Sequence, residues 1–376
     1  MEVFLSHITA LEIVRRWDSF LLMGDAGNAS ANEPPRDMPD ARHVGFLVTA
    51  IPALVGATLP LHLLIRGTDR RRRTEEACAH LARPSYPEGS FFSIAPGIWC
   101  STPELIALQM AEFATELELV MLVDELCGLY GIQPRAQSGL VERSLPLTTL
   151  ASIRSYLDAS GQTRGARKLR RALERARERS ASPQESRGCH RLEFSPLEGG
   201  YGLRVVALND PVAVERTDSL LAGSAMRVRK PDLMLLSPGD PSGGRTPFRA
   251  VAIDYQGRHH RDQTQESDDI VRRNELLACD IKDYEIAKKH YDDRRYMDWL
   301  VGRIRRDLGI PEPRLSPKLA AELPALRDDL THRLAAADGL RWTARRRPLL
   351  MAGAHDFVGR TVGAPERDFL TEHPHG

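Results

Sequence analysis

The stretch 227–273, RVRKPDLMLLSPGDPSGGRTPFRAVAIDYQGRHHRDQTQESDDIVRR, decides how this chain folds. Its two apolar runs, within 227–236 and 249–255, read as β-strands, and the Pro- and Gly-rich segment SPGDPSGGRTP between them reads as a hairpin loop. A helix is predicted over 264–279, a short apolar strand over 284–287 and a helix over 291–308. Upstream, Ser182-Pro-Gln-Glu185 has the form of a capping box with Pro at the first helical position, opening a helix to about Phe194. Gly199, Gly200 and Gly202 mark a turn, and 203–208 alternates as a strand. The predicted order is α-β-β-β-α-β-α, an α/β unit in which helices flank a mixed sheet.

Both central strands end in acids, at Pro231-Asp232 and at Asp254-Tyr255-Gln256-Gly257. Neighbouring strand ends can bring two carboxylates together, and with a backbone carbonyl from Tyr255 they make a hard-oxygen set suited to Mg²⁺ or Mn²⁺. A metal there can polarise a phosphoryl oxygen and supply hydroxide. His259 and His260 follow within six residues of Asp254 and titrate near neutral pH, with His260 the better candidate for proton transfer. Each residue also has a plainer role. Asp232 can end a strand and bond a loop amide, and Glu185 can serve only as the capping partner of Ser182. Arg272 can pair with Asp269 or with a site carboxylate, and Gln256 can be an ordinary polar strand residue.

Ahead of this unit the chain reads differently. Thr9 and Glu12 have capping-box spacing before a helix over 10–17, and Ser101 and Glu104 repeat it before a helix to about 113. An apolar segment over 117–130 and a helix over 149–157 follow, so 1–160 is predicted to be a helix-rich domain with one or two short strands. Residues 44–65 are uncharged for 22 positions, but Pro52, Gly56, Pro60 and His62 favour a buried helix, a turn and a strand at 61–65 over a membrane span. Residues 164–179 hold eight basic and two acidic side chains. A solvated helix face is the commoner fate of such a run. A phosphate-contacting helix using Arg167, Lys168, Arg170 and Arg171, with Arg272 and Arg273 downstream, is the sharper reading. The expected division is 1–160, a basic helical linker 161–181, the α/β unit 182–310, and a helical extension with a poorly ordered tail over 311–376.

The composition excludes little beyond extremes. Of 376 residues, 42% are apolar and 27% charged, which excludes collagen-like and wholly disordered chains. Lys plus Arg is 52 and Asp plus Glu 51, so net charge names no partner. Cys78, Cys100, Cys127, Cys189 and Cys279 form no C-x-x-C pair, which argues against a zinc knuckle or disulfide framework. That usage, with no basic region at the N-terminus of a signal-peptide kind, leads us to expect a cytoplasmic protein without a membrane association.

The order αβββαβα, with Glu185, Pro231-Asp232 and Asp254-Tyr255-Gln256, resembles the core of PD-(D/E)XK nucleases. AIDYQGRHH followed by Asp269, Arg272 and Leu276, and SASPQES around Glu185, resemble the branch similar to very-short-patch-repair endonucleases. Upstream, FLSHITALEIVRR, LHLLIR, GIWCSTPELIALQMAEF and LVMLVDELCGLYG are similar to abortive-infection antitoxin-like domains. The resemblance implies a restriction-endonuclease-like fold and cleavage of DNA phosphodiesters with Mg²⁺ or Mn²⁺. Asp232, Asp254 and the Tyr255 carbonyl would hold the metal, Gln256 would position water, His260 would act as acid or base, and Glu185 would hold a metal-bound water. DNA is the implied partner, no small-molecule cofactor is implied, and cleavage of both strands implies a homodimer. Two departures stand out: Asp254 replaces the usual Glu, and Gln256 replaces the Lys of the superfamily and the Asp of the branch. Gln orients water but neither neutralises charge nor accepts a proton at neutral pH. The departures leave a second reading open, a nucleic-acid-binding protein with a decayed nuclease core.

Overall fold

The structure, a computed structural model, describes residues 2–16, 33–67, 73–133, 136, 138–215, 226–239, 247–256 and 263–337. In the first half β1 (Val3–Leu5) and α1 (His7–Arg16) precede α2 (Ala41–Ala50), β2 (Leu61–Ile65), β3 (Ala77–Leu81), β4 (Phe91–Ala95) and β5 (Ile98–Ser101). Then come α3 (Pro103–Met110), α4 (Glu116–Leu126), β6 (Tyr130–Ile132), β7 (Leu140–Glu142), α5 (Leu150–Ala159) and α6 (Ala166–Arg175). The second half runs α7 (Pro183–Glu193), β8 (Val205–Leu208), β9 (Val212–Glu215), β10 (Met226–Arg229), β11 (Leu233–Leu236), β12 (Ala250–Gln256), α8 (Gln263–Ala278) and β13 (Ile281–Ala287). It closes with α9 (Lys288–Tyr291), α10 (Arg294–Leu308) and α11 (Pro317–Ala337). The chain is thus a mixed α/β protein.

The first half has the expected helices but more strand than the one or two short strands of the sequence reading. It contains a five-stranded mixed sheet in the order β3-β2-β1-β5-β4, with β1 antiparallel to β2 and parallel to β5. The reason for the misreading is physical. Every residue of β1 and all but Leu81 of β3 are buried, so these strands carry no alternation of apolar and polar residues to betray them. Two expected capping boxes also do other work. Thr9 Oγ1 accepts the His62 N–H at 2.8 Å and Glu12 accepts the Thr58 N–H at 2.9 Å, so both residues tie α1 to the segment entering β2. Ser101 donates to the Leu5 carbonyl at 3.0 Å and Glu104 accepts from Thr148. The box that forms in this half is Thr115 with Glu118, at the start of α4.

The stretch 44–65 resolves into a helix, a turn at Pro52–Leu54 and strand β2 as anticipated, but the helix is not the buried one expected: it buries Val44 and Leu47 and leaves Phe46 exposed. Among the described residues no helix is long and apolar enough to cross a membrane. The basic segment does not stand apart as a linker: Leu169, Ala172 and Leu173 of α6 join the same apolar cluster as α1, α3, α4 and α5.

In the second half a four-stranded sheet runs β13-β12-β11-β8, antiparallel at β8/β11 and β11/β12 and parallel at β12/β13. One face packs on α7 and α10 and the other on α8. The run 227–236, expected as one strand, is two: β10 pairs with β9 in a separate hairpin, and the chain breaks at Lys230-Pro231-Asp232 before β11. Proline has no N–H for a ladder, which favours the break there. The predicted glycine turn holds, since Gly199 has φ +89° and a Cβ on Gly200 would lie 2.0 Å from the Phe194 carbonyl oxygen. The halves are joined by a buried link: Asp124 of α4 accepts the Arg177 N–H at 2.7 Å, and its other oxygen lies 2.7 Å from His190 Nε2 of α7. Leu330 and Leu334 of α11 pack with Met121 and Phe194 across the same seam. The tail beyond residue 337 lies outside the described residues.

Arg15 and Glu125 pair inside the first half through two bonds, Nε to Oε1 at 2.7 Å and a terminal nitrogen to Oε2 at 2.6 Å, with side chains 2% and 1% exposed. Glu125→Ala strands the guanidinium in an apolar setting and is expected to cost about 3–5 kcal/mol of stability in urea unfolding, whereas a loss under about 1 kcal/mol would show that the pair is not buried as described.

Candidate functional site

Side chains along a strand alternate between faces. On β12, Val251 and Ile253 enter the cluster with α7 and α10, while Ala250 and Ala252 pack with Leu276 of α8 and Ile281 of β13. Asp254 continues the second series and so lies on the α8 side. Asp232 precedes Met234 by two positions, and Asp283 follows Ile281 by two; both continue that face. Pleat and register therefore turn one sheet face from apolar to acidic along its length.

The acids are interlocked. Asp254 Oδ1 accepts the Asp232 N–H at 3.0 Å, and Asp232 Oδ2 accepts the Tyr255 N–H at 2.6 Å. Arg272 of α8 donates to Asp254 Oδ2. Glu185, in the first turn of α7, accepts the Ala181 N–H at 2.7 Å, the Asn209 amide at 2.6 Å and the Ser182 hydroxyl at 2.9 Å. Ser182 in turn accepts the Glu185 N–H, so Glu185 sits at the helix cap and beside the site at once. Burial, then the charges of Glu185 and Asp254, pushes Asp232 up from 3.8 to about 8. Burial and then Asp254 push Asp283 up to about 7, against the pull of Arg272. Burial also raises Glu185. Buried carboxylates gathered this closely are poorly compensated by one guanidinium.

The structure thus brings together Glu185, Asp232, Asp254 and Arg272, with the Tyr255 backbone adjacent. The Tyr255 ring points to the other face, edge-on to Tyr291 at 5.2 Å. Gln256 is paired in the ladder opposite Ala287, but its side chain, that of Asp269, and both His259 and His260 lie outside the described residues. Asp283 and Asn209 were missed. The predicted strand began at 284, because Lys282 and Asp283 masked its start; the usable signal was the spacing of two from Ile281 to Asp283 to Glu285.

The basic candidates are largely engaged by the protein. Lys168 donates to the Ala114 carbonyl at 2.8 Å, Arg171 to Glu116 at 2.7 Å and Arg170 to Asp158 at 3.4 Å. Arg273 donates to Glu285 at 2.7 Å, and Arg167 is exposed with no ion pair among the described residues. Most of these contacts are solvent-exposed and individually weak, so they do not bar phosphate contact, but they match the plainer reading of a solvated, self-paired helix face.

One group of three His, Cys, Asp or Glu side chains among the described residues has donor atoms all within 4.8 Å of one another: His62, Cys78 and His80, in the first half. The acids of the second half are more widely spread. Thiol and imidazole donors are soft or borderline, and do not suit Mg²⁺ or Mn²⁺. Burial holds His62 down to about 4. Compared with family models, curated proteins and solved structures, the chain has no match.

The raised carboxyls set a pH dependence. Folded Asp232 and Asp283 keep protons that the unfolded chain releases near 3.8, so their contribution to stability is full below that value and is lost as pH rises through about 7 to 8. Wild type is therefore expected to lose stability across this window. Asp232→Asn removes the charge, should flatten the loss, and should exceed wild type above the window by on the order of 1 kcal/mol or more. Parallel curves for the two proteins in urea titrations on both sides of the window would refute the assignment.

Proposed function

We propose that this chain is a divalent-metal-dependent, endonuclease-like protein that hydrolyses DNA phosphodiester bonds, built on a restriction-endonuclease-like core. The observation that carries the reading is the gathering of Asp232, Asp254 and Asp283 along one sheet face, with Glu185 of α7 close enough to raise Asp232 and with Arg272 to offset them among the described residues. The succession of α7, β8, β11, β12, α8 and β13, with β13 parallel beside β12, agrees with the αβββαβ order on which the resemblance rests. The donor chemistry fits Mg²⁺ or Mn²⁺: all the donors are hard oxygens, and Asp283 Oδ1 is buried with no hydrogen-bond partner among the described residues. Asp232 and Asp254 would hold the ion, with the Tyr255 carbonyl as a further donor. When bound, the ion supplies Lewis acidity at the phosphoryl group.

The chain's own groups take the remaining roles. Glu185 holds a water at the edge of the site, fixed in place by Asn209 and Ser182. Gln256 orients the attacking water, and His260 transfers the proton. Arg167, Lys168, Arg170, Arg171, Arg272 and Arg273 meet DNA phosphates, which requires the α6 side chains to exchange exposed protein partners for phosphate. A cytoplasmic homodimer suits cleavage of both strands.

A second reading is favoured by the ion pair between Arg272 and Asp254. A guanidinium already bonded to the central carboxylate can stand in for a cation, as expected of a non-catalytic nucleic-acid-binding protein acting in regulation or phage defence. Plasmid nicking separates the two. Wild type is expected to nick with Mn²⁺ or Mg²⁺, and Asp232→Ala and Asp283→Asn to fall at least about 100-fold. Equal nicking by all three proteins would discard the site. DNA binding without nicking, unaffected by either ion, would establish the second reading.

A further inference from the structure

The first half carries a cluster that the proposed nuclease chemistry does not use. β2 and β3 run parallel, with His62 opposite Cys78 and Leu64 opposite His80. Opposed residues on paired strands share a face, and Cys78 and His80 are two apart, so His62, Cys78 and His80 all project to one side. His62 Nδ1 and His80 Nε2 are 2.9 Å apart, and both nitrogens and the Cys78 sulfur lie within 4.8 Å of one another. The three residues are 5%, 6% and 9% exposed, so the donors are held away from bulk water.

We propose that His62, Cys78 and His80 form a zinc site that staples β3 to β2. A thiolate and two imidazoles are a donor set that zinc favours and that magnesium and calcium do not. Ligands at about 2.0–2.3 Å from a tetrahedral zinc lie some 3–4 Å from one another, and these donors, all within 4.8 Å of one another, stand close to that spacing. The two nitrogens need only open slightly from their hydrogen-bonded separation.

The surroundings define the rest of the site. His7 stacks on His80 with ring centroids 3.7 Å apart and planes 20° from parallel, and its Nδ1 lies 2.9 Å from Ser6 Oγ. A metal bound in the plane of the His80 ring faces the flat of His7 rather than a lone pair, so His7 is a wall and water fills the fourth position. Phe113, 5.3 Å from His7 and 6.0 Å from His80, helps to seal that wall. Arg73, whose backbone bridges to Cys78, adds positive charge near the site. It opposes a dication but favours the thiolate, which in turn cancels one of the two charges of zinc. The benefit to the fold is clear from topology. β3 is an edge strand, paired along its length with β2 and otherwise touched by the single bridge from Arg73, so a metal across the pair would fix a strand with one full neighbour.

The plainer account is a buried histidine pair joined by one hydrogen bond, with a cysteine nearby. Metal binding separates the two accounts. Full-length protein stripped with chelator and titrated with Co²⁺ should develop a thiolate-to-metal charge-transfer band and tetrahedral d–d bands, both displaced by Zn²⁺. Cys78→Ser and His80→Asn should each weaken zinc binding by more than about 100-fold, the upper end for loss of even an outer-shell partner. Asp232→Ala should bind as wild type, which keeps this site distinct from the acidic one. Should either ligand variant fail to fold, X-ray absorption of the wild-type zinc protein gives the answer without it: a shell containing sulfur with imidazole nitrogen supports the site. A shell of oxygen alone, no charge-transfer band, or zinc binding unchanged in Cys78→Ser would overturn it.

Discussion

A strand sends alternate side chains to opposite faces, and both chemically distinctive clusters in this protein follow from that constraint. On β12 the odd-numbered Val251 and Ile253 build the core against α7 and α10, which leaves the even-numbered Asp254 to face α8. On β3 the same period sets Cys78 and His80 on one face, and parallel pairing sets His62 beside them. In each case the register of a parallel edge pair, β12 with β13 or β2 with β3, selects which polar groups meet. A one-residue slip would send the acids into the apolar cluster and Ile253 toward Arg272, so the hydrophobic pattern that fixes register also fixes the chemistry.

The second sheet cannot be considered apart from the first half. Glu185 owes its position to the start of α7, and α7 is anchored by His190 to Asp124 of α4, with no exposure on either side chain. Asp124 also accepts the Arg177 N–H, in the segment that leads from α6 into α7. Arg179 and Asn209 then exchange bonds, Asn209 donating to the Arg179 carbonyl and to Glu185. A continuous run of hydrogen bonds thus connects the core of the first half to an acid beside the candidate site. Such buried networks rigidify what they hold, because every broken member leaves an unpaired polar group behind.

What could be read from the sequence tracks how local the determining interaction is. The helices at 150–159, 183–193 and 294–308, strand 250–256 and the glycine turn were legible, because caps, periodicity and glycine act over a few residues. Asp232 and Asp254 were legible because acids at the ends of apolar strands break a pattern. Strands β1 and β3–β5 were not: all are short, and in β1, β3 and β5 burial on both faces erases alternation. Asp283 was hidden by its polar neighbours, and its role appears only once β13 is set beside β12. The His62, Cys78 and His80 cluster was invisible for the same reason, since donors drawn from two strands leave no motif at fixed spacing. The basic helix left two readings open, because charge count alone cannot tell that Lys168, Arg170 and Arg171 have partners in the folded chain.

The two readings of the acidic site turn on Arg272. Asp254 stands where a longer carboxylate is usual in the resembling family, and both of its oxygens are already engaged, one by the Asp232 N–H and one by Arg272. A shorter side chain held at both ends cannot reach outward without releasing one partner, and the backbone amide is held in place by the turn that leads directly into β11. The exchangeable partner is therefore the guanidinium. A dication would bring twice its charge to a place where burial and mutual repulsion have raised Asp232 and Asp283, and the charge that Arg272 leaves unbalanced among the described residues is what would draw it in. On the proposed reading Arg272, if displaced from Asp254, would remain beside Asp283 and Asp232 and could meet a phosphate there. On the proposed reading the ion pair and the metal would be alternative occupants of one carboxylate, and the balance between them would separate a nuclease from a non-catalytic binder.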